Sequence, residues 1–282
     1  MTDALTEGAI RNALIAGALT VVASGIMGVY VVIRRMVSIS GSVAHASLSG
    51  VGLGLLVGFS PVVGALILTP LAAFGMGLII KKTRLPEDTA IGMLWASGMA
   101  IGVILAAFAH STKDLSTYLF GDILSVPDAD LILMGVLDAI IILVVLRFYK
   151  EFLSISFDEE FSQVVGVQVT FLYFVILCLI ALTVVIILRV VGIILVIALL
   201  AIPAALSRRL TYHVPKMFLC SLIFSTVFTF AGLFLSFIFN LPSGAVIAVL
   251  SAFTFVMFLA ISQIWQNRER KDGLTPEDGH AP

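Results

Sequence analysis

In the stretch Ser38–Gly54, SISGSVAHASLSGVGLG, a histidine sits in a row of small residues inside what must be a membrane-buried helix. At 3.6 residues per turn, Ser38, Ser42, His45, Ser49 and Gly52 fall on one polar stripe at alternating steps of four and three. Ser47, Gly50 and Gly54 fall on another face, where the Gly50-x-x-x-Gly54 spacing lets a neighbouring helix approach closely. Lipid satisfies neither stripe, so the pattern predicts a wall between a water-filled path and a protein neighbour. Imidazole is a ligand for divalent transition metals, and carboxylates are its usual companions. The one acid expected in the middle of a crossing is Asp138; Glu87 and Asp88 sit at a helix start, where they also complement the helix dipole. In a symmetric dimer with this helix on the axis, two copies of His45 would face one path, as a weak site able to release its ion. The plainer alternatives are a hydrogen bond from His45 to a neighbouring helix and one from a nearby Ser or Thr to Asp138.

The elements that must position these groups are apolar crossings. The chain has 282 residues, is 60% hydrophobic and only 12% charged, with net charge −1. That composition excludes an ordinary soluble domain, and without a basic run interleaved with aromatics it points away from nucleic acid. Cys178 and Cys220 lie inside apolar runs and read as small core hydrophobes. Acids at Asp3 and Glu7 precede the first apolar run, which reads as a retained helix rather than a signal peptide.

The fold class expected is all-α, a polytopic bundle of nine transmembrane helices at 12–33, 42–59, 62–80, 89–109, 131–147, 169–188, 191–206, 216–238 and 243–263. The count is eight if the sixth and seventh merge across Arg189–Gly192. Placing the C-terminus in the cytoplasm and the N-terminus outside puts thirteen Lys and Arg on the inner face, from Arg34 to Lys271, and only Arg11, Lys113 and Arg189 outside. Merging two crossings would move Arg208 and Arg209 to the wrong face. Residues 1–264 then form one transmembrane domain in a lipid bilayer, and 265–282 a disordered cytoplasmic tail whose His280 is inert.

Two connections stand out. The external one, 110–130, carries Asp114, Asp122, Asp128 and Asp130 against one lysine, and reads as a docking surface, a cation vestibule or a solvated loop. The cytoplasmic one, 149–168, is amphipathic, with Phe157, Phe161 and Val164 or Val165 at helical spacing, Asp158, Glu159 and Glu160 between them, and Gly166 as the stop. Acids are repelled by an anionic inner leaflet, so a protein partner is the expected cover for its apolar face. No loop could hold a catalytic domain, and no G-x-x-x-x-G-K-[ST] occurs, so the chain is not expected to hydrolyse nucleotide by a P-loop or to be an enzyme.

Six segments taken together resemble the permease subunits of the ABC transporters that import zinc and manganese, the metal-permease branch of the type II importers. They are 34–54, EDTAIGMLWA at 87–96, YLFGDILSV at 118–126, SFDEEFSQVVGV at 156–167, VGIILVIALLAIPAAL at 191–206 and LPSGAVIAVL at 241–250. The resemblance implies a homodimeric channel in a prokaryotic inner membrane, carrying Zn²⁺ or Mn²⁺ inward and working with a P-loop ATPase subunit that binds the ATP and with an external metal-binding protein. It also implies that Asp158, Glu159, Glu160, Phe161 and Gly166 form the coupling segment that enters the ATPase. Relatives commonly carry Gly-Asp four to five residues before the histidine, where this chain has Ser40 and Gly41. The carboxylate is absent, and Asp138 or Asp122 becomes the candidate replacement beside His45. The competing readings are a permease for a metal chelate or cobalamin-like cargo and an ion-coupled secondary carrier.

Overall fold

The structure, a computed structural model, describes residues 2–83, 85–111, 117–193 and 196–271, with side chains described between residues 8 and 264 of those ranges. Arg84, Lys113, Asp114 and residues 272–282, including His280, lie outside the described residues.

Among the described residues the chain is helical, with no β-strand. The long helices are α1 (Thr2–Ile33), α2 (Val37–Val57), α3 (Pro61–Lys82), α4 (Glu87–Phe108), α5 (Asp128–Arg147), α8 (Val169–Val191), α10 (Val214–Phe239) and α11 (Ser243–Lys271). Each is long and apolar enough to cross a membrane. Between α5 and α8 lie two short helices, α6 (Tyr149–Phe157) and α7 (Glu159–Val164), and between α8 and α10 lies α9 (Val196–Leu210).

The seventh expected crossing is therefore α9, displaced toward the C-terminus and only 15 residues long. At 1.5 Å per residue it covers about 22 Å, short of a full hydrocarbon core. Its two flanks nevertheless lie at opposite ends of the bundle. Arg189, in the last turn of α8, lies 2.7 Å from Asp130 beside the external connection, whereas Arg208, in the last turn of α9, donates to Val32 O at 3.0 Å at the far end of α1. The break between them is Gly192, whose φ of +83° suits glycine; its Cα packs on the backbone of Gly121, itself at φ +76°, and a Cβ at either residue would collide with the other strand of chain.

The ion pairs sort by end in the way the Lys and Arg count requires. Arg11–Asp128 at 3.4 Å and Arg189–Asp130 at 2.7 Å fasten the external connection. Arg34–Glu159 at 3.2 Å and Lys81–Glu159 at 3.5 Å gather at the opposite end. The expected tail is shorter than 265–282, because α11 continues to Lys271.

Helix association in lipid has no hydrophobic driving force, so it depends on close packing and small residues. α2 is enclosed by α3 and α4, and 83% of its most apolar stretch is buried, against 22% for α4. α8 and α1 are the other enclosed crossings, 72% and 67% buried over the same kind of stretch, with Ile176, Ile180, Val184 and Ile187 of α8 fully buried. These three helices form the centre around which the more exposed crossings stand.

Candidate functional site

The Gly50-x-x-x-Gly54 face of α2 meets α3 as its spacing predicts. A Cβ at Gly50 would fall on the Gly64 carbonyl and 2.6 Å from Ala65 Cα, and one at Gly54 would fall 2.6 Å from Pro61 Cα. The polar stripe meets α4. Ser42 Oγ donates to Ile91 O at 2.9 Å, and Gly52 lies against Gly102, where an added Cβ would come 2.5 Å from the Gly102 carbonyl. Gly98 in turn packs on Ala46, and Gly102 on the Leu48 carbonyl. Within one copy of the chain, Ser42 and Gly52 are therefore seam residues that lock two crossings together. Ser38 is exposed near the start of α2, and Ser49 donates to its own helix at Ala46 O, 2.7 Å away.

His45 sits in this seam at 6% exposure. Its ring lies flat on the indole of Trp95 in α4, with centroids 4.2 Å apart and planes inclined by 16°. Nδ1 is buried and has no hydrogen-bond partner. The plain reading of a histidine bonded to a neighbouring helix is thus not what Nδ1 does. One turn earlier, a Cβ on Gly41 would meet Ile197 Cδ1 of α9 at 2.5 Å and Trp95 Cζ3 at 3.7 Å. The volume beside Gly41 is filled by an isoleucine and an indole. Trp95 and Ile197 carried no signal in the sequence, since each is one more apolar residue in an apolar crossing.

The two candidate replacement carboxylates do not join His45. Asp122 sits in the 110–130 connection and accepts from Ser125 Oγ at 2.5 Å. Asp138 is buried at 4% exposure on α5, which packs against α1 and α8, and both its oxygens are sealed without a partner. No Ser or Thr bonds to it. Among the described residues no group of three or more His, Cys, Asp and Glu is arranged to hold a metal ion. Glu87 and Asp88 are exposed in the first turn of α4, where the helix dipole accounts for them.

Of the external acids, Asp128 accepts from Asn12 at 2.8 Å and pairs with Arg11, and Asp130 pairs with Arg189 although the Nε–H is not aimed at the oxygen. The Arg189 guanidinium also lies 5.3 Å over the Tyr118 ring. Asp128 and Asp130 thus bind the 110–130 connection to its own bundle.

At the end of the bundle that holds Arg34 and Lys81, residues 149–168 form two helices, where the periodicity predicts one. The bend falls at Asp158, whose carboxylate caps α7 by accepting from Phe161 N at 2.8 Å. Ser154 and Ser162 bond each other at 2.6 Å across the bend. Gly166, at φ +86°, ends α7 through bonds from Gly166 N to Gln163 O and from Val167 N to Ser162 O, the paired pattern of a Schellman stop. On α6, Phe152 and Ile155 are buried against the bundle, with Phe152 set edge-on to Tyr30 at 5.5 Å. Past the bend the apolar side turns outward: Phe157 is 68%, Phe161 60% and Val164 86% exposed. Glu159 points inward to Arg34 and Lys81, and Arg34 also donates to Ile155 O at 2.9 Å. Glu159 thus anchors the elbow, while Glu160, Phe161 and Val164 face out.

Comparison with known proteins adds a family to this geometry. The profile described as "ABC 3 transport family" matches residues 7–262. An uncharacterised membrane protein of Synechocystis is 42% identical over 92% of this chain and 93% of its own length. The "Manganese transport system membrane protein MntC" of Listeria innocua is 36% identical over 90% of each chain. Among solved structures, a chain of "PsaBC from Streptococcus pneumoniae in complex with Fab" superposes with a TM-score of 0.81 at 31% identity, covering 91% of this chain and 95% of that one.

Proposed function

Because this chain belongs to the ABC 3 transport family, we propose that it is the membrane-spanning subunit of an ATP-driven importer that carries a divalent transition metal, manganese or zinc and in some settings iron, into a prokaryotic cell. The name of the Listeria relative supports manganese as first choice. Two copies of the chain form the channel in the inner membrane, with the C-terminus in the cytoplasm and the N-terminus outside. A separate ATPase subunit docks at the cytoplasmic end, and an external metal-binding protein delivers the ion.

The observation that carries this reading is the α6–α7 elbow. A six-residue helix cannot hold itself in place, yet here it is capped, stopped, serine-linked and ion-paired to α1 and α3. Such anchoring transmits force. Its outer face, with Phe157, Phe161 and Val164, is uncovered. A docked ATPase would bury that face, and its motion would be relayed through Glu159 to α1 and α3.

His45 is the metal-route residue in this reading, and Ser49 its neighbour on the stripe. The seam with α4 closes the route in the present conformation, and alternating access requires α4 to shift relative to α2. Asp138 lies on α5, which packs on α1 and α8, and Asp122 in the 110–130 connection, so neither is part of the α2–α4 seam.

The test is a pair of substitutions on the elbow. In cells that express the chain with its ATPase, Phe161→Ala combined with Val164→Ala should abolish metal uptake and release the ATPase on purification, while the chain remains in the membrane at wild-type level. Unchanged uptake would reject the coupling role.

A further inference from the structure

We propose that, whatever its cargo, the bundle holds a phospholipid with a primary-ammonium headgroup, of the phosphatidylethanolamine type, in the groove between α1 and α10. The groove lies at the end that holds Arg11 and Asp128. Deeper in the bundle the two helices touch at Gly17, where an added Cβ would come 3.4 Å from Thr229 Cγ2 and 3.5 Å from Leu233 Cδ1. Beyond that contact they part, and residues 117–124 close the third side of a cavity of about 950 Å³. Ala13, on the α1 wall, is too small to fill it.

The lining changes character along the groove. Leu14, Phe230, Leu233 and Phe234 make the deep part apolar, whereas Asp122, Asn240 and Ser243 lie toward the mouth; from Phe230 to Asn240 the chain rises about 15 Å. Leu14 is 50% and Phe234 66% exposed, so the groove opens sideways between crossings, where it meets acyl chains. Water would find few hydrogen bonds on such walls, and a polar solute would leave its own groups unpaired, so hydrocarbon is the filling that the deep part fits. The mouth decides the headgroup. Among the described residues that line the cavity, Asp122 bears the only charge, a carboxylate steadied by the bond from Ser125 Oγ. It attracts an ammonium and repels an anionic headgroup. Ser243 opens α11, whose first N–H groups suit the phosphate beside that ammonium. A lipid seated here touches α1, α10, the start of α11 and residues 117–124 at once, and so braces the 110–130 connection against the bundle.

Native mass spectrometry of the full chain in detergent, titrated with phosphatidylethanolamine or phosphatidylglycerol of the same acyl chains, reads both parts of the proposal. The wild-type chain should keep a phosphatidylethanolamine at activation energies that strip other lipids, and bind it about fivefold more tightly than phosphatidylglycerol, the upper range for a partly exposed ion pair. Asp122→Asn should make the two lipids equal. Leu14→Trp, whose larger ring fills the groove from a half-exposed position, should abolish the retained lipid, while Ile132→Trp, on the exposed side of α5, should leave it in place. Phe234→Ala, which strips one wall, should also lower retention and decides the matter if the tryptophan at position 14 blocks folding. Equal binding of the two lipids by the wild-type chain, or a preference that survives Asp122→Asn, overturns the headgroup assignment. Retention that is unchanged in Leu14→Trp and Phe234→Ala, or lost equally in Ile132→Trp, overturns the groove as the site.

Discussion

At the α2–α4 seam the chain buries an imidazole, hydroxyls and glycines between two crossings, whereas at the α6–α7 elbow it turns its ion pairs inward and leaves phenylalanine and valine outside. The contrast follows from what each region meets. A seam within lipid must satisfy its polar groups internally and gains most from close backbone approach, so glycine and serine face the neighbour. An elbow beyond the ends of the crossings can hydrate its polar groups, so its uncovered apolar face is the surface that the proposed ATPase would cover. Polar inside and apolar outside is the expected order in the first region; in the second it is the basis of the proposed contact.

The difference can be broken most severely at the seam. Gly50→Leu drives a side chain into the Gly64 carbonyl and Ala65 backbone, neither of which can yield as a side-chain tip could. It should destabilise the bundle by about 3 kcal/mol, the upper part of the usual range for overpacking, and deplete the chain from membranes in an immunoblot. Gly166→Leu, at positive φ but in open space, should leave the chain folded and impair only the elbow.

A smaller effect is expected at the anchor. Glu159→Gln removes the charge that pairs with Arg34, whose side chain is 8% exposed, while Glu159 itself is half exposed. Uptake should fall severalfold with unchanged protein level, and Arg34→Gln in the same background should add little, because the two act through one contact. Additive losses would separate Arg34 from the elbow. The smallest effect is at the cap: Asp158→Ala should destabilise α7 by about 1 kcal/mol and lower ATPase retention, and Asp158→Asn should restore it.

Much of this architecture is legible in the sequence because the bilayer imposes it. Apolar runs of fixed length give the crossings, and the Lys and Arg asymmetry assigns Arg208 and Arg34 to one end, where the structure places both. The bend at Asp158 was less legible, since Phe157, Phe161 and Val164 keep one period across it; the pairing of Ser154 with Ser162 is a tertiary choice. Arg34–Glu159 and Arg189–Asp130 join residues far apart in the chain, and no spacing announces them. The same holds for Trp95, which resembles any lipid-facing aromatic until it is found on His45. The stripe through Ser42 and Gly52 is polar and so predicts a wet face; two helices in lipid can satisfy such a stripe against each other, and they do.

The central claim is that metal passes His45 in a bundle driven from the elbow. Proteoliposomes containing the chain and its ATPase, supplied with ATP and radiolabelled Mn²⁺, test it most directly. The account predicts ATP-dependent accumulation that is lost in His45→Ala while the ATPase still co-purifies. Accumulation at the wild-type rate in His45→Ala would contradict it.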